Sequence, residues 1–318
     1  MKTSLHEIGR FEDRLSFLYV DRAIIRHTAN AIAIHEFDWV TEVPMAALAT
    51  LMLGPGTKIT HEAVKALADA NCLVIWAGEE GVRFYASGMG GSRHSRNLLR
   101  QAALALDERT RLQVVVRMYL KRFPGEEVDP NITLQQLRGK EGIRVREAYA
   151  QASRTTGVPW TGRSYHRKNW FAGDPVNRAL SAANACLYGL VHAAILSVGY
   201  SPAIGFIHSG KQLSFVYDVA DLYKVELVIP LAFNVAKAEP EHLEREVRSE
   251  ARRRFHRAKL LQRILPDIRD VMKTERSEEQ TDEFIDDPAK PSAWWEPSFG
   301  STTPIGQIMG HDRDGDAA

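Results

Sequence analysis

Between Gly205 and Lys224 the chain reads GFIHSGKQLSFVYDVADLYK, which sets one imidazole, His208, ahead of two carboxylates, Asp218 and Asp221, spaced three apart. If LSFVYDVADLYK is helical, the two acids project from one face, because residues three and four apart are neighbours on a helix. Phe215, Val219 and Leu222 then pack on the other side. His208, in the preceding loop, can fold back toward the carboxylates and give one divalent cation an imidazole and oxygen ligands. The plainer alternative is a solvated helix face beside a hydrogen-bonded histidine. Lys211, Lys224, Tyr217 and Tyr223 weigh toward chemistry, since cations and rings beside a carboxylate–metal centre suit a phosphodiester and its bases. The stretch also falls one residue short of the phosphate-loop pattern G-x-x-x-x-G-K-[ST]. Gln212 replaces the hydroxyl that would hold magnesium, and Phe206, Ile207 and His208 crowd the loop, so ATP or GTP binding is rejected.

A further acid must come from elsewhere. Glu141 in QLRGKEGIRVRE is a candidate: Gly139 and Gly142 are expected to let its backbone approach a neighbouring helix, and Arg138, Lys140, Arg144 and Arg146 could reach phosphates. Spacing alone favours a surface glutamate of a charged helix. In TGRSYHRKNW, residues 161–170, Arg163, Arg167 and Lys168 interleave with Tyr165, His166 and Trp170, as in single-strand or fork contacts. Arg245, Arg248, Arg252, Arg253, Arg254, Arg257 and Lys259 form a denser set at helical spacing. They either meet phosphates or pair within the helix with Glu241, Glu244, Glu246 and Glu250.

The elements that must carry these residues fall into two groups. Up to residue 87 the chain is strand-rich: LSFLYV, IIRH, AIAIHEF, CLVIWA and VRFYAS are short apolar or alternating runs, with HEAVKALADA as one helix among them. Its sheets could also serve self-association. The glycine cluster within 88–96 marks a hinge. From 97 to 274 helical periodicity takes over, over Asn97–Phe123, Thr133–Ser153, Asp174–Gly199, Leu213–Lys224 and Pro240–Lys273. From 275 to 318 no periodicity survives, which predicts a flexible acidic tail, although Trp294, Trp295 and Phe299 suggest that it docks somewhere. The expected fold class is α+β: a small β-sandwich-like domain, a larger mainly α-helical domain and a disordered tail.

With 318 residues and 44% hydrophobic composition the chain can bury one or two substantial cores. Cys72 and Cys186 lie in apolar stretches and read as packed thiols, not a disulfide framework or zinc site. The opening residues lack the apolar core of a signal peptide. The apolar run Ala179–Tyr200 carries Asn184 and His192 and follows a soluble-helix start at Asp174-Pro175, so it reads as a buried helix, not a membrane span. A cytoplasmic protein is expected. Residues 275–318 hold 11 acidic and three basic side chains, a net −8 against the chain's +1, leaving +9 on the body. That basic body is the footprint of a polyanion binder.

Taken in order, EDRLSFLYV, LGPGTKITHEAV, VIWAGEEGVRFYASG, QLRGKEGIRVR, GVPWTGRSYHRKNW, the long run ending GFIHSGKQLSFVYDVADLYK, and REVR resemble the CRISPR-associated spacer-acquisition integrase, the Cas-one endonuclease family, and within it the subtype I-E branch. The resemblance spans roughly residues 10 to 275. It implies a homodimer of β-domain plus helical catalytic domain, with a small ferredoxin-like partner, Cas-two, bridging two dimers. It implies double-stranded DNA with single-stranded 3′ overhangs as substrate, and insertion of the fragment's 3′-hydroxyls at a repeat of CRISPR leader–repeat DNA by metal-dependent transesterification. Carried onto this chain, the metal ligands are Glu141, His208 and Asp221, with Asp218 as the additional acid and Mg²⁺ or Mn²⁺ as the ion. Tyr165, Lys211 and Tyr217 match overhang-contacting positions, and Arg245 and Arg248 match backbone-contacting ones; Arg163 and Lys224 join the expected DNA surface. Arg22 stands where relatives can brace the duplex end with an aromatic ring, with Tyr19 nearby. Two rival readings are a non-catalytic DNA-binding scaffold and a structure-specific nuclease acting on branched DNA in repair.

Overall fold

The computed structural model describes residues 14, 16–78, 81, 84–88, 95–129, 132–163 and 174–273. Residues 89–94 of the expected hinge, Tyr165 with the rest of 164–173, and the expected tail lie outside them. Two four-stranded sheets open the chain. The first has the order β1 (Leu18–Val20), β5 (Thr50–Leu53), β7 (Leu73–Ala77), β8 (Phe84–Gly88), with only the β7–β8 pair antiparallel. The second has the order β4 (Val40–Pro44), β3 (Ala31–His35), β2 (Ile24–Thr28), β6 (Lys58–Ile59). Between them a core of Ile25, Ile32, Ile34, Leu51 and Val74 is closed by Ala63 and Leu67 of α1 (His61–Asp69).

Successive side chains alternate across a strand, and here both faces of the first sheet are covered. Leu51, Leu53 and Val74 face the second sheet, whereas Met52, Leu73 and Ile75 enter the helical core. This explains why CLVIWA reads as continuously apolar instead of alternating. The element on the far face is α5 (Pro175–Ser197), started by Asp174, whose Oδ1 accepts the Asn177 N–H at 2.9 Å. Gly189 permits the approach: a Cβ there would meet Ile75 Cδ1 at 3.3 Å and Thr50 Cγ2 at 3.5 Å. The most apolar window of α5 is 78% buried inside the protein, so the long apolar run is a core helix.

Around α5 stand α2 (Arg96–Leu106), α3 (Glu108–Arg122), α4 (Leu134–Thr156), α6 (Ser214–Tyr223), α7 (Ile229–Lys237), α8 (Leu243–Arg257) and α9 (Leu260–Met272). Two expected helices are split. The run from Asn97 to Phe123 breaks at Asp107, which turns extended and caps α3 by accepting the Thr110 N–H at 2.8 Å. The run from Pro240 to Lys273 breaks at Lys259, whose φ of 49° is left-handed. Capping propensity overrides periodicity at the first site, since an aspartate satisfies orphan helix N–H groups better than it continues a helix.

Candidate active site

The loop before α6 and α6 itself are tied by one carboxylate. Asp218 does not lie on a solvated face; it is fully buried. Its Oδ2 accepts the N–H groups of Phe206 (2.5 Å) and Ile207 (3.1 Å), and its Oδ1 accepts that of His208 (2.9 Å). Backbone amides that a phosphate loop would aim at a phosphate are thus spent on an internal carboxylate. Gly205 is required beside it, because an added Cβ would press on Ser214 Cβ at 2.8 Å and Asp218 Oδ2 at 2.9 Å. Farther residues hold the rest of the loop. Gln101 of α2, fully buried, donates to the carbonyls of Ser201 (2.9 Å) and Ile204 (2.7 Å) and accepts the Ser201 N–H at 2.8 Å. Arg111 donates to Phe206 O at 2.8 Å and Arg138 to Ile207 O.

His208 folds back as far as Asp218, with Nδ1 2.7 Å from Oδ1. A carboxylate only accepts, so Nδ1 carries the proton and Nε2 is left for a ligand or a proton. The hydrogen bond to Asp218 is the main reason its pKa rises above the ordinary imidazole value, against the opposing effect of burial.

Glu141 of α4 and Asp221 of α6 meet at a cation. Both reach Nη1 of Arg122, the last residue of α3: Glu141 Oε1 as a direct ion pair and Asp221 Oδ2 at 3.7 Å. Asp221 Oδ1 is buried and forms an ion pair with Lys224 Nζ at 2.5 Å. Burial raises the Glu141 pKa, and Arg122 only partly offsets it. Burial works on Asp221 too, but Lys224 and Arg122 outweigh it and hold the carboxyl below its ordinary range. The charge of His208 bears on both acids. Arg122, Glu141, Asp218, Asp221 and Ile207 line one pocket, floored by Val115, Met118 and Leu137.

Hard carboxylate oxygens and an oriented imidazole form a donor set suited to Mg²⁺ or Mn²⁺. As the side chains stand, no three His, Cys, Asp or Glu among the described residues group closely enough to enclose an ion. Gly139 and Gly142 do not bring α4 close to a neighbour as expected. A Cβ at Gly139 would meet nothing within 4 Å and one at Gly142 only Arg146 Nη1 at 3.6 Å; Glu141 reaches inward through its own side chain instead.

A cationic, aromatic rim adjoins the acids. Lys224 lies at the start of a π-helical turn, Lys224–Val228, with Nζ 4.9 Å from the Tyr188 ring centre. Tyr188 packs edge-on against Tyr217 at 5.0 Å, and Tyr217 faces His208 at 5.8 Å and Lys211 Nζ at 5.9 Å. Tyr223 is not part of this rim: it is buried and its hydroxyl donates to Asp267 at 2.7 Å. Arg163, expected on the DNA surface, is engaged within the protein. Its Nη1 donates to Asn177 O and Oδ1 at 2.9 and 2.8 Å, and its Nη2 to Ser181 Oγ at 2.7 Å, locking it onto α5. On α8, Arg245 is exposed, Arg248 lies over the Tyr19 ring at 4.2 Å, and Arg253 pairs within the helix with Glu246 and Glu250. Arg22 adopts a left-handed φ of 49°. Sequence reasoning missed Arg122, Tyr188 and Gln101, because each lies in a different helix far from the motif it serves.

Comparison with known proteins places the chain in a family. The family model of the CRISPR associated protein Cas1 matches residues 118–262, a span that contains all four acid and imidazole positions. A CRISPR-associated endonuclease Cas1 of Thermus thermophilus is 48% identical over 92% of this chain and 90% of its own length. One from Geobacter sulfurreducens is 47% identical over 82% of this chain and 85% of its own. The crystal structure of a TtCas1–DNA complex superposes with a TM-score of 0.76 at 44% identity, covering 91% of this chain and all of the other.

Proposed function

Because this chain belongs to the Cas1 family of CRISPR-associated endonucleases, we propose that it is a metal-dependent DNA integrase and nuclease of CRISPR adaptation, of the subtype I-E branch. The observation that carries this reading is the convergence of Glu141 and Asp221, from two helices, on one buried cation beside an imidazole oriented by Asp218. Glu141, His208 and Asp221 are the residues that would hold Mg²⁺ or Mn²⁺, which when bound supplies Lewis-acid polarisation of a phosphate oxygen and stabilises charge on attacking and leaving oxygens.

The chain's own residues do the rest. Asp218 keeps the Nδ1 proton of His208 in place and thereby aims Nε2. Lys224, kept protonated by Asp221 despite its burial, offers positive charge to a phosphodiester. Tyr217 and Tyr188 offer ring faces to an unstacked base of an overhang, and Lys211 a phosphate contact; Arg245 and Arg248 would meet the duplex backbone. The 3′-hydroxyl of a captured fragment attacks the phosphorus at the 5′ end of a repeat strand and gives up its proton, while the flanking strand's 3′-oxygen leaves and is protonated to a new 3′-hydroxyl. One phosphodiester replaces another, so no nucleotide hydrolysis is needed. The TtCas1–DNA complex supports DNA as substrate. The homodimer, the bridging Cas-two partner, leader–repeat DNA as target and a cytoplasmic location complete the reading.

The test is strand transfer of a labelled fragment with free 3′-hydroxyls into a supercoiled plasmid bearing leader and repeat, with the purified partner protein and Mn²⁺, comparing wild type with His208→Ala. Transfer lost in the variant while DNA binding persists is the expected result. Equal transfer by both removes His208 from the chemistry, and DNA binding without transfer by either favours a scaffold.

A further inference from the structure

The carboxylate pair already contains a cation. Arg122 ends α3, its side chain is 7% exposed, and its Nη1 serves Glu141 and Asp221 together. We propose that Arg122 is a place-holder: in the metal-free protein its guanidinium neutralises the two acids, and a divalent ion binds only by displacing it. The inference rests on the metal-centre reading above and adds a residue that sets how readily that centre loads.

Three features support a removable guanidinium. Two largely buried carboxylates this close together need counter-charge to stay ionised, and with Lys224 against Asp221 alone, Arg122 from a third helix is the cation that reaches both. Second, Arg122 is poorly satisfied where it sits. Its Nε is buried with no hydrogen-bond partner among the described residues, and an unpaired buried donor carries a desolvation cost. Arg163 shows the contrast, with Nη1 and Nη2 both committed to well-aligned acceptors on α5. Third, the charges do not allow coexistence. Lys224 already stands against Asp221; a dication added to Lys224 and Arg122 would bring four positive charges to two carboxylates, and like charges at such separations repel strongly. The helix end favours the exit, because Phe123, whose ring centre is 5.3 Å from the guanidinium carbon, closes α3 and no helical turn follows to fence the side chain in.

The experiment is Mn²⁺ binding to the full chain after removal of metals by chelation. It is followed by calorimetry and by the electron paramagnetic resonance of free Mn²⁺, with thermal unfolding in parallel, for wild type, Arg122→Met, Arg122→Gln and, as the ligand control, Glu141→Gln. The expected result is a dissociation constant at least tenfold lower in both Arg122 variants. Their melting temperature without metal should be lower than wild type, and the gap should close at saturating Mn²⁺. If Arg122→Met fails to fold without metal, Arg122→Gln decides. Wild-type binding abolished by Glu141→Gln but not tightened by either Arg122 variant overturns the place-holder alone. No Mn²⁺ binding by any of the proteins overturns the metal centre and the place-holder together.

Discussion

Asp218 is the residue on which the candidate site depends most heavily without touching the expected ion, and Asp218→Asn isolates that dependence. The substitution keeps shape but turns one acceptor oxygen into a donor and removes the charge. With the amide oxygen at the Oδ1 position, the N–H groups of Phe206 and Ile207 face an NH₂ group; flipped, the N–H and ring of His208 do. At least one buried N–H loses its acceptor either way. Hydrogen bonds to a charged group contribute roughly 1.5–3 kcal/mol each and an unsatisfied buried donor costs about 1–3 kcal/mol, so the fully buried site should lose about 3–4 kcal/mol. Urea unfolding measures this. The local readout is the His208 titration by NMR. Asp218 raises the imidazole pKa in the folded protein, so the pair's contribution is present in full below the unfolded value of about 6.5 and is lost as pH rises through the higher folded value. Asp218→Asn should lower the His208 pKa and remove that pH dependence. A variant within about 0.5 kcal/mol of wild type, a shift too small for any buried unpaired amide, with an unshifted His208 titration would refute the tie between carboxylate, loop and imidazole.

Arg163→Ala should cost about 2 kcal/mol of stability, from the loss of charge-assisted hydrogen bonds at a partly exposed site, while DNA affinity per folded molecule stays unchanged in a fluorescence anisotropy titration. Unchanged stability with weakened DNA binding would return Arg163 to the phosphate surface. His192 on α5 is buried and its pKa is lowered by burial to about 4. A depressed folded pKa means that stability is lost as pH falls below the unfolded value of about 6.5, so wild type should lose about 2 kcal/mol between pH 7 and 5 that His192→Leu does not lose. Parallel pH profiles of the two proteins in chemical unfolding would rule out the buried neutral imidazole.

Much of the fold was legible because its causes are local. Thr133 with Gln136 and Asp174 with Pro175 start α4 and α5 within a residue of where caps and periodicity predict. The short strands β4, β5 and β6 were not picked out, nor was α7. The strands are short or irregular in pattern, and α7 continues directly from the π-helical turn that follows α6 with no side-chain cap, only Pro230 in its first turn.

The order of motifs along the chain was enough to name the acids and the imidazole, because the resemblance is carried by residues that adjoin them in sequence. It could not assign their work. Asp218 and Asp221 share one helix and one spacing, yet the first is consumed by three backbone amides and the second faces Arg122 and Lys224. That division is decided by which neighbours α3, α4 and the 201–208 loop bring to each carboxylate. Arg122 reaches Glu141 across 19 residues and Asp221 across 99, and Gln101 holds a loop 100 residues away. Local propensity fixes the periods and the caps of the helices; the partners of a buried charge are fixed only when packing removes water and leaves a single arrangement that satisfies it.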